Sequence, residues 1–212
     1  MKKILFCFTL LLSTLIIGET VLAVDMDTKT QKATVNLIQN TDPSVSLLEI
    51  TKASDLNFGS KAIGITDMTL TEEQSPNLVI TDIRGDAPGW SLSVSLGEFK
   101  DSSNSRVLKG VQLFYPAITL TTNATVDVAE RTPETLATDE SFEDSLVKGI
   151  RINSSNTPSN KVLIKSVSGK GNGQWTGTYD ATHKLELNIP AGNLAGNYES
   201  SLTYTLTDGP TI

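Results

Sequence analysis

The 212-residue chain reads as all-β, a β-sandwich or a Greek-key-like barrel, with a long irregular insertion around residues 129–149. Three observations predict this. Short β-branched and leucine-rich runs recur along the chain, clusters of Gly, Pro, Asn and Ser punctuate them, and one run alternates without a fault. In that run Trp90, Leu92, Val94 and Leu96 interleave with Ser91, Ser93 and Ser95, the pattern of a strand with one buried and one wet face.

The elements follow in order. Lys2 and Lys3 precede an apolar stretch over 4–18, and Val21-Leu22-Ala23 supplies small or modest side chains for cleavage. Residues 1–23 therefore read as a secretory signal peptide, too short for a membrane span, with the mature chain expected to start at Val24. Residues 24–34 are polar and expected to be flexible, and 35–212 are expected to form the β domain. Thr34–Ile38 is a first short strand candidate, closed by Asn40-Thr41-Asp42-Pro43, and Ser44–Ile50 a second. Asp55–Gly59 is a compact turn carrying Phe58. Leu78–Ile83 is a strand that ends at the turn cluster Arg84-Gly85-Asp86-Ala87-Pro88-Gly89.

After the Trp90 strand come Val111–Tyr115 and Ile118–Thr121. Pro133 and a run of acidic residues break the pattern over 129–149, which reads as a loop, with a short helix over Glu140–Lys148 as the alternative. Lys161–Val167, Gln174–Tyr179, Lys184–Ile189 and Ser200–Thr207 complete the strands. No solenoid-period repeat and no dividing linker is visible.

Charge and cysteine content narrow the function. The net charge is −7, and becomes −8 once Lys2, Lys3 and Glu19 of the leader are set aside. Nucleic acid is excluded as a partner, since phosphates require a basic footprint. The sole cysteine, Cys7, lies in the leader, so the exported chain is expected to have no disulfides. That suits a Gram-positive bacterial surface better than an animal extracellular space. With neither a second hydrophobic segment nor a Leu-Pro-x-Thr-Gly sorting signal, non-covalent retention at the surface is expected.

Two aromatic–leucine pairs stand out, Trp90 with Leu92 and Tyr204 with Leu206. Residues i and i+2 share a strand face, so each pair forms one apolar patch. Both pairs sit in phase with further apolar residues, which leaves core burial and a ligand-facing role both open. Asp82, Arg84 and Asp86 read as side chains holding the turn, with Gly85, that presents Trp90.

These residues carry a resemblance. Val79-Ile80-Thr81-Asp82-Ile83-Arg84-Gly85 leading into Gly89-Trp90-Ser91-Leu92-Ser93-Val94 resembles the first signature of the WxL-domain surface proteins of Gram-positive bacteria. Ile189-Pro190-Ala191-Gly192, Gly196-Asn197-Tyr198 and Leu202–Pro210 resemble the second, and Phe58-Gly59 and Gly173-Gln174-Trp175 also match. The second motif departs from the family's usual tryptophan at Tyr204. The resemblance implies non-covalent attachment to peptidoglycan or another wall glycan and assembly with other surface proteins, among them WxL-interacting proteins. On this reading Trp90, Leu92, Tyr204 and Leu206 are the motif residues, supported by Asp82, Arg84, Gly85, Gly89, Trp175 and Tyr198.

Simpler explanations account for the residues that could suggest other chemistry. His183, the single histidine, is better explained as a hairpin-turn residue than as a general base. Asp82 with Asp86 has the composition of a glycosidase pair, but turn capping explains both. Zinc lacks ligands, and neither Asp25-Met26-Asp27 nor the acidic run at 139–144 has a calcium-loop pattern. Gly169-Lys170-Gly171-Asn172-Gly173 lacks the hydroxyl residue and the strand–loop–helix context of a phosphate loop, and reads as a loop between strands. No metal and no cofactor is expected. The function expected is thus a non-enzymatic wall-binding and assembly protein. The alternative is a protein-interaction module whose aromatic motifs are structural, and a secreted hydrolase is the least favoured.

Overall fold

Alternating apolar positions need a second layer to bury them, and the computed structural model supplies it with antiparallel sheets. It describes residues 29, 31–42, 44–73, 77–135, 149–179 and 184–209. Two compact units divide the chain, Met1–Asn36 and Leu37–Ile212. In the first, the described residues are exposed and carry no regular structure.

The second unit is a β-sandwich, and among the described residues no sheet closes into a barrel. Strands are numbered in chain order. One sheet runs β1 (Leu48–Ala53), β3 (Leu78–Asp82), β11 (Gly173–Tyr179), β7 (Ile118–Thr122). Another runs β14 (Leu202–Asp208), β4 (Trp90–Leu96), β10 (Lys161–Ser166), β8 (Glu134–Thr135). A third runs β2 (Met68–Thr71), β12 (Glu186–Ile189), β6 (Gln112–Pro116), β9 (Gly149–Asn153), and β13 (Tyr198–Glu199) pairs with β5 (Lys100–Asp101). Neighbours in a sheet are distant in sequence, the Greek-key manner of connection. Among the described residues no helix is long and apolar enough to cross a membrane.

The core is continuous, from Leu78 and Ile80 through the apolar face of β4 to Leu113, Tyr115, Ile152, Ile164, Trp175 and Leu187. Three sequence expectations are corrected. Thr34–Ile38 is no strand; it is exposed and without regular structure, because no neighbouring strand pairs with it. The Ser44–Ile50 candidate becomes regular only at Leu48, after a turn held by Asp42 and Ser44. The serine face of β4 is only partly wet, since Ser91 and Ser95 are buried and Ser93 is half-buried; β4 is an inner strand between β14 and β10, and longer side chains flank its serines, Thr207 and Lys165 beside Ser91 and Thr203 beside Ser95.

The sequence pattern shows neither β2 and β9 nor the two-residue strands β5, β8 and β13. β2 is only four residues long, and β9 begins at Gly149, where the irregular insertion was placed. The described part of that insertion holds a one-turn helix, Val128–Arg131, and β8. The helix alternative over Glu140–Lys148, His183, Asp25–Asp27 and residues 1–23 lie outside the described residues.

Candidate functional site

β14 pairs antiparallel with β4 along its whole length, so the two motifs are adjacent strands. Leu206 lies opposite Leu92, Tyr204 opposite Val94 and Asp208 opposite Trp90. The pairing joins the leucines directly but sets Trp90 and Tyr204 four residues apart along the ladder, about 13 Å.

Trp90 and Leu92 are each 0 % exposed. Neither face of the Trp90 ring is open to a ligand, and its Nε1 donates to the Gly171 carbonyl at 3.1 Å. Two glycines make this fit possible. Gly89 has φ +94 and lies against the Ser166 carbonyl, where a Cβ would collide. A Cβ on Gly171 would come within 2.5 Å of Trp90 Nε1 and would strike the Ser166 hydroxyl. Trp175 is equally deep, on β11 between β3 and β7. Its Nε1 has no hydrogen-bond partner among the described residues.

A polar clamp closes the Trp90 end of the strand pair. Asp82, fully buried at the end of β3, accepts from Arg84 Nε at 2.9 Å and from a second guanidinium nitrogen at 2.8 Å. It also accepts from the Arg84 backbone N–H at 3.1 Å. Arg84 donates onward to the Gly89 carbonyl at 2.9 Å and to Asp208, and the Gly209 N–H reaches the same Gly89 carbonyl at 3.1 Å. Chiefly through the hydrogen bond with Asp82, the Arg84 pKa rises above its ordinary value. One cation thus ties the turn of the first motif to the end of the second. Gly85 forms the tip of that turn with φ +86, and Asp86 lies exposed outside the clamp, so its expected part in holding the turn is corrected.

Tyr204 is half-buried, and its hydroxyl explains its place in the motif. Three of the four tyrosines meet here: Tyr179 donates to the Tyr115 hydroxyl, which lies 2.9 Å from that of Tyr204. The rings pack edge-on, with centroids 5.4 and 6.5 Å apart. Burial is the main reason that all three phenols are pushed above their usual pKa of 10.0. Tyr115 and Tyr179 were missed in the sequence, where nothing marks two strand-end tyrosines as partners of a third. Tyr198 stands apart on β13, its hydroxyl donating to the Leu194 carbonyl.

Two surfaces remain for recognition. One is the outer face of the β1-β3-β11-β7 sheet, where Thr51, Thr81, Gln174, Thr176, Thr178, Thr119 and Thr121 point away from the core. Thr51 and Thr81 share a hydrogen bond of 2.7 Å. Thr121 and Thr178 bond across to the carbonyls of Thr176 and Thr119. The other is a groove of about 1140 Å³ with a mixed lining, apolar at Leu56, Phe58, Met68, Leu96, Leu202 and Tyr204 and polar at residues such as Asn57, Lys61 and Asn197. Among the described residues no cluster of His, Cys, Asp and Glu has metal-site geometry.

Fold and site together define a class, a β-sandwich domain whose two aromatic–leucine motifs lie on paired, adjacent strands. The family model described as "WxL domain surface cell wall-binding" matches residues 26–210, and the chain belongs to this family. It is a cell-wall-binding surface domain over nearly its whole length. No curated protein and no solved structure matches the chain.

Proposed function

We propose that this protein is exported through cleavage of residues 1–23 and held non-covalently on the peptidoglycan of a Gram-positive wall, as a non-enzymatic component that assembles with other surface proteins. The observation that carries the reading is the family match across residues 26–210. The motif aromatics serve it indirectly. With Trp90 and Trp175 buried, they build the scaffold, and ring stacking on sugars falls to other groups. The threonine and glutamine face of the β1-β3-β11-β7 sheet is the surface best suited to a glycan. It offers ordered hydroxyls and an amide, donors and acceptors that match sugar hydroxyls, and its charged groups on β1, Glu49 and Lys52, are of opposite sign.

The test is retention on purified sacculi, run beside a pull-down with neighbouring surface proteins as bait. Thr176→Glu with Thr178→Glu places charge on this face without touching the core. Retention on sacculi should fall at least tenfold while the melting temperature holds. Unchanged retention would remove the face from the reading, and capture by a protein bait with no sacculus binding would favour the interaction-module alternative.

A further inference from the structure

One apolar side chain interrupts the polar outer face of the β1-β3-β11-β7 sheet. Alternation along β3 turns Leu78 and Ile80 into the core, so Val79 between them points outward, half-buried and outside the core cluster. Register surrounds it with polar groups. Thr176 lies opposite it on β11 and Lys52 opposite it on β1. Thr81 follows two residues along β3, with Gln174 opposite.

The hydrogen-bonding groups of this face are not equally free. The hydroxyls of Thr121 and Thr178 donate to backbone carbonyls across the strands, and those of Thr51 and Thr81 are bonded to each other. The Thr176 hydroxyl, the Gln174 amide and the Lys52 ammonium have no side-chain partner among the described residues. Opposed Cβ atoms in a sheet stand about 5 Å apart and diagonal ones about 7 Å. Thr176 and Lys52 are therefore directly beside Val79, and Gln174 is on its diagonal. The Thr119 hydroxyl is free as well, but β7 is two strands away at the sheet edge.

This grouping selects a chemical class. A sugar hydroxyl gains nothing from an apolar neighbour, whereas an acetamido substituent carries a methyl group beside an N–H donor and a carbonyl acceptor. Val79 suits the methyl. The Thr176 hydroxyl and the Gln174 amide can each donate and accept, and so can pair with the N–H and the carbonyl. Loss of the acetyl group leaves an ammonium, which would meet valine methyls and the Lys52 cation. Glu49, the carboxylate of β1, stands a row further along, opposite Thr81.

We propose that Val79, with Thr176 and Gln174, reads the N-acetyl group of an amino sugar in the wall glycan, and so distinguishes acetylated from de-N-acetylated strands. This rests on the threonine and glutamine face being the glycan surface, and adds to it the residue that sets specificity.

The test is retention on one batch of sacculi in three forms: fully acetylated with acetic anhydride, chemically de-N-acetylated, and re-acetylated. De-N-acetylation creates ammonium groups, which alone would strengthen attraction to a chain of net charge −7. Acetyl recognition has the opposite sign. At physiological ionic strength retention should fall about tenfold on de-N-acetylation and return on re-acetylation. Val79→Thr is nearly isosteric and keeps strand propensity, so the melting temperature should hold. Its retention on acetylated sacculi should fall about fourfold, the worth of one methyl group in apolar contact, and its preference for the acetylated form should narrow. Thr119→Val, at the far edge, should leave the preference as it is. Equal retention on acetylated and de-N-acetylated sacculi, or an unaltered preference in Val79→Thr, would overturn the proposal. If Thr176→Glu with Thr178→Glu still lowers retention in that case, the glycan face stands and only the acetyl reading falls. Unchanged retention of that double variant would remove both.

Discussion

Trp90 and Tyr204 occupy corresponding motif positions but stabilise the fold by different means. Trp90 is fully buried with its indole N–H bonded to Gly171, so Trp90→Ala opens a large cavity. The expected loss is about 3–5 kcal/mol, read by denaturant unfolding. Tyr204 is half-buried, and Tyr204→Ala should cost clearly less. Tyr204→Phe keeps the ring and removes only the hydroxyl bond to Tyr115, a loss of about 1 kcal/mol. The tyrosine cluster also sets an alkaline limit. Its folded pKa values lie above the unfolded value of 10.0, so above that pH the unfolded chain binds fewer protons than the folded one. The stability contribution is complete below pH 10 and falls as pH rises through the folded values. Unfolding midpoints measured across this range should decline, and the decline should be shallower in a Tyr115→Phe, Tyr204→Phe variant. An identical slope would mean that the phenols are not the source.

The β4–β14 pair is where the motifs act as a unit. Double-mutant cycles should follow the register. Leu92→Ala with Leu206→Ala should show a coupling of about 0.5–3 kcal/mol, because the side chains are directly opposed. Trp90→Ala with Tyr204→Ala should be additive within about 0.5 kcal/mol, because the pair is offset along the ladder. The clamp should be hierarchical. Asp82→Ala leaves Arg84, its side chain only 12 % exposed, without its buried partner, and should cost about 3 kcal/mol. Asp208→Asn removes a partner whose side chain is 76 % exposed and should cost less than about 1 kcal/mol. Asp86→Ala, outside the clamp, should be within about 0.5 kcal/mol of neutral.

For the whole molecule, the acidic balance predicts how retention responds to salt. A chain of net charge −7 and an anionic wall repel one another at long range, so attachment must come from short-range contacts. Retention on sacculi should therefore hold or strengthen as sodium chloride is raised from low to physiological ionic strength. A steep loss with salt would instead assign the attachment to a local basic patch. Circular dichroism of the protein should show a β spectrum, as antiparallel sheets require.

Much of the architecture was legible because it is written in local periodicity. The Trp90–Leu96 alternation, the turn at 84–89 and the runs that became β3, β10 and β14 are near-neighbour patterns, and their strand bounds agree with the sequence to within a residue or two. The motif residues alone also sufficed for the family. Tertiary structure decided what depends on partners distant in the chain. Ser91 and Ser95 are buried because β4 is an inner strand, and Thr34–Ile38 is not a strand because nothing pairs with it. Tyr115, Tyr179 and Tyr204 come together from three strands, and Arg84 reaches Asp208 across 124 positions. A side chain's periodicity is a property of its own strand, whereas its burial and its hydrogen-bond partner belong to the strand beside it, and that neighbour is chosen only when the chain folds.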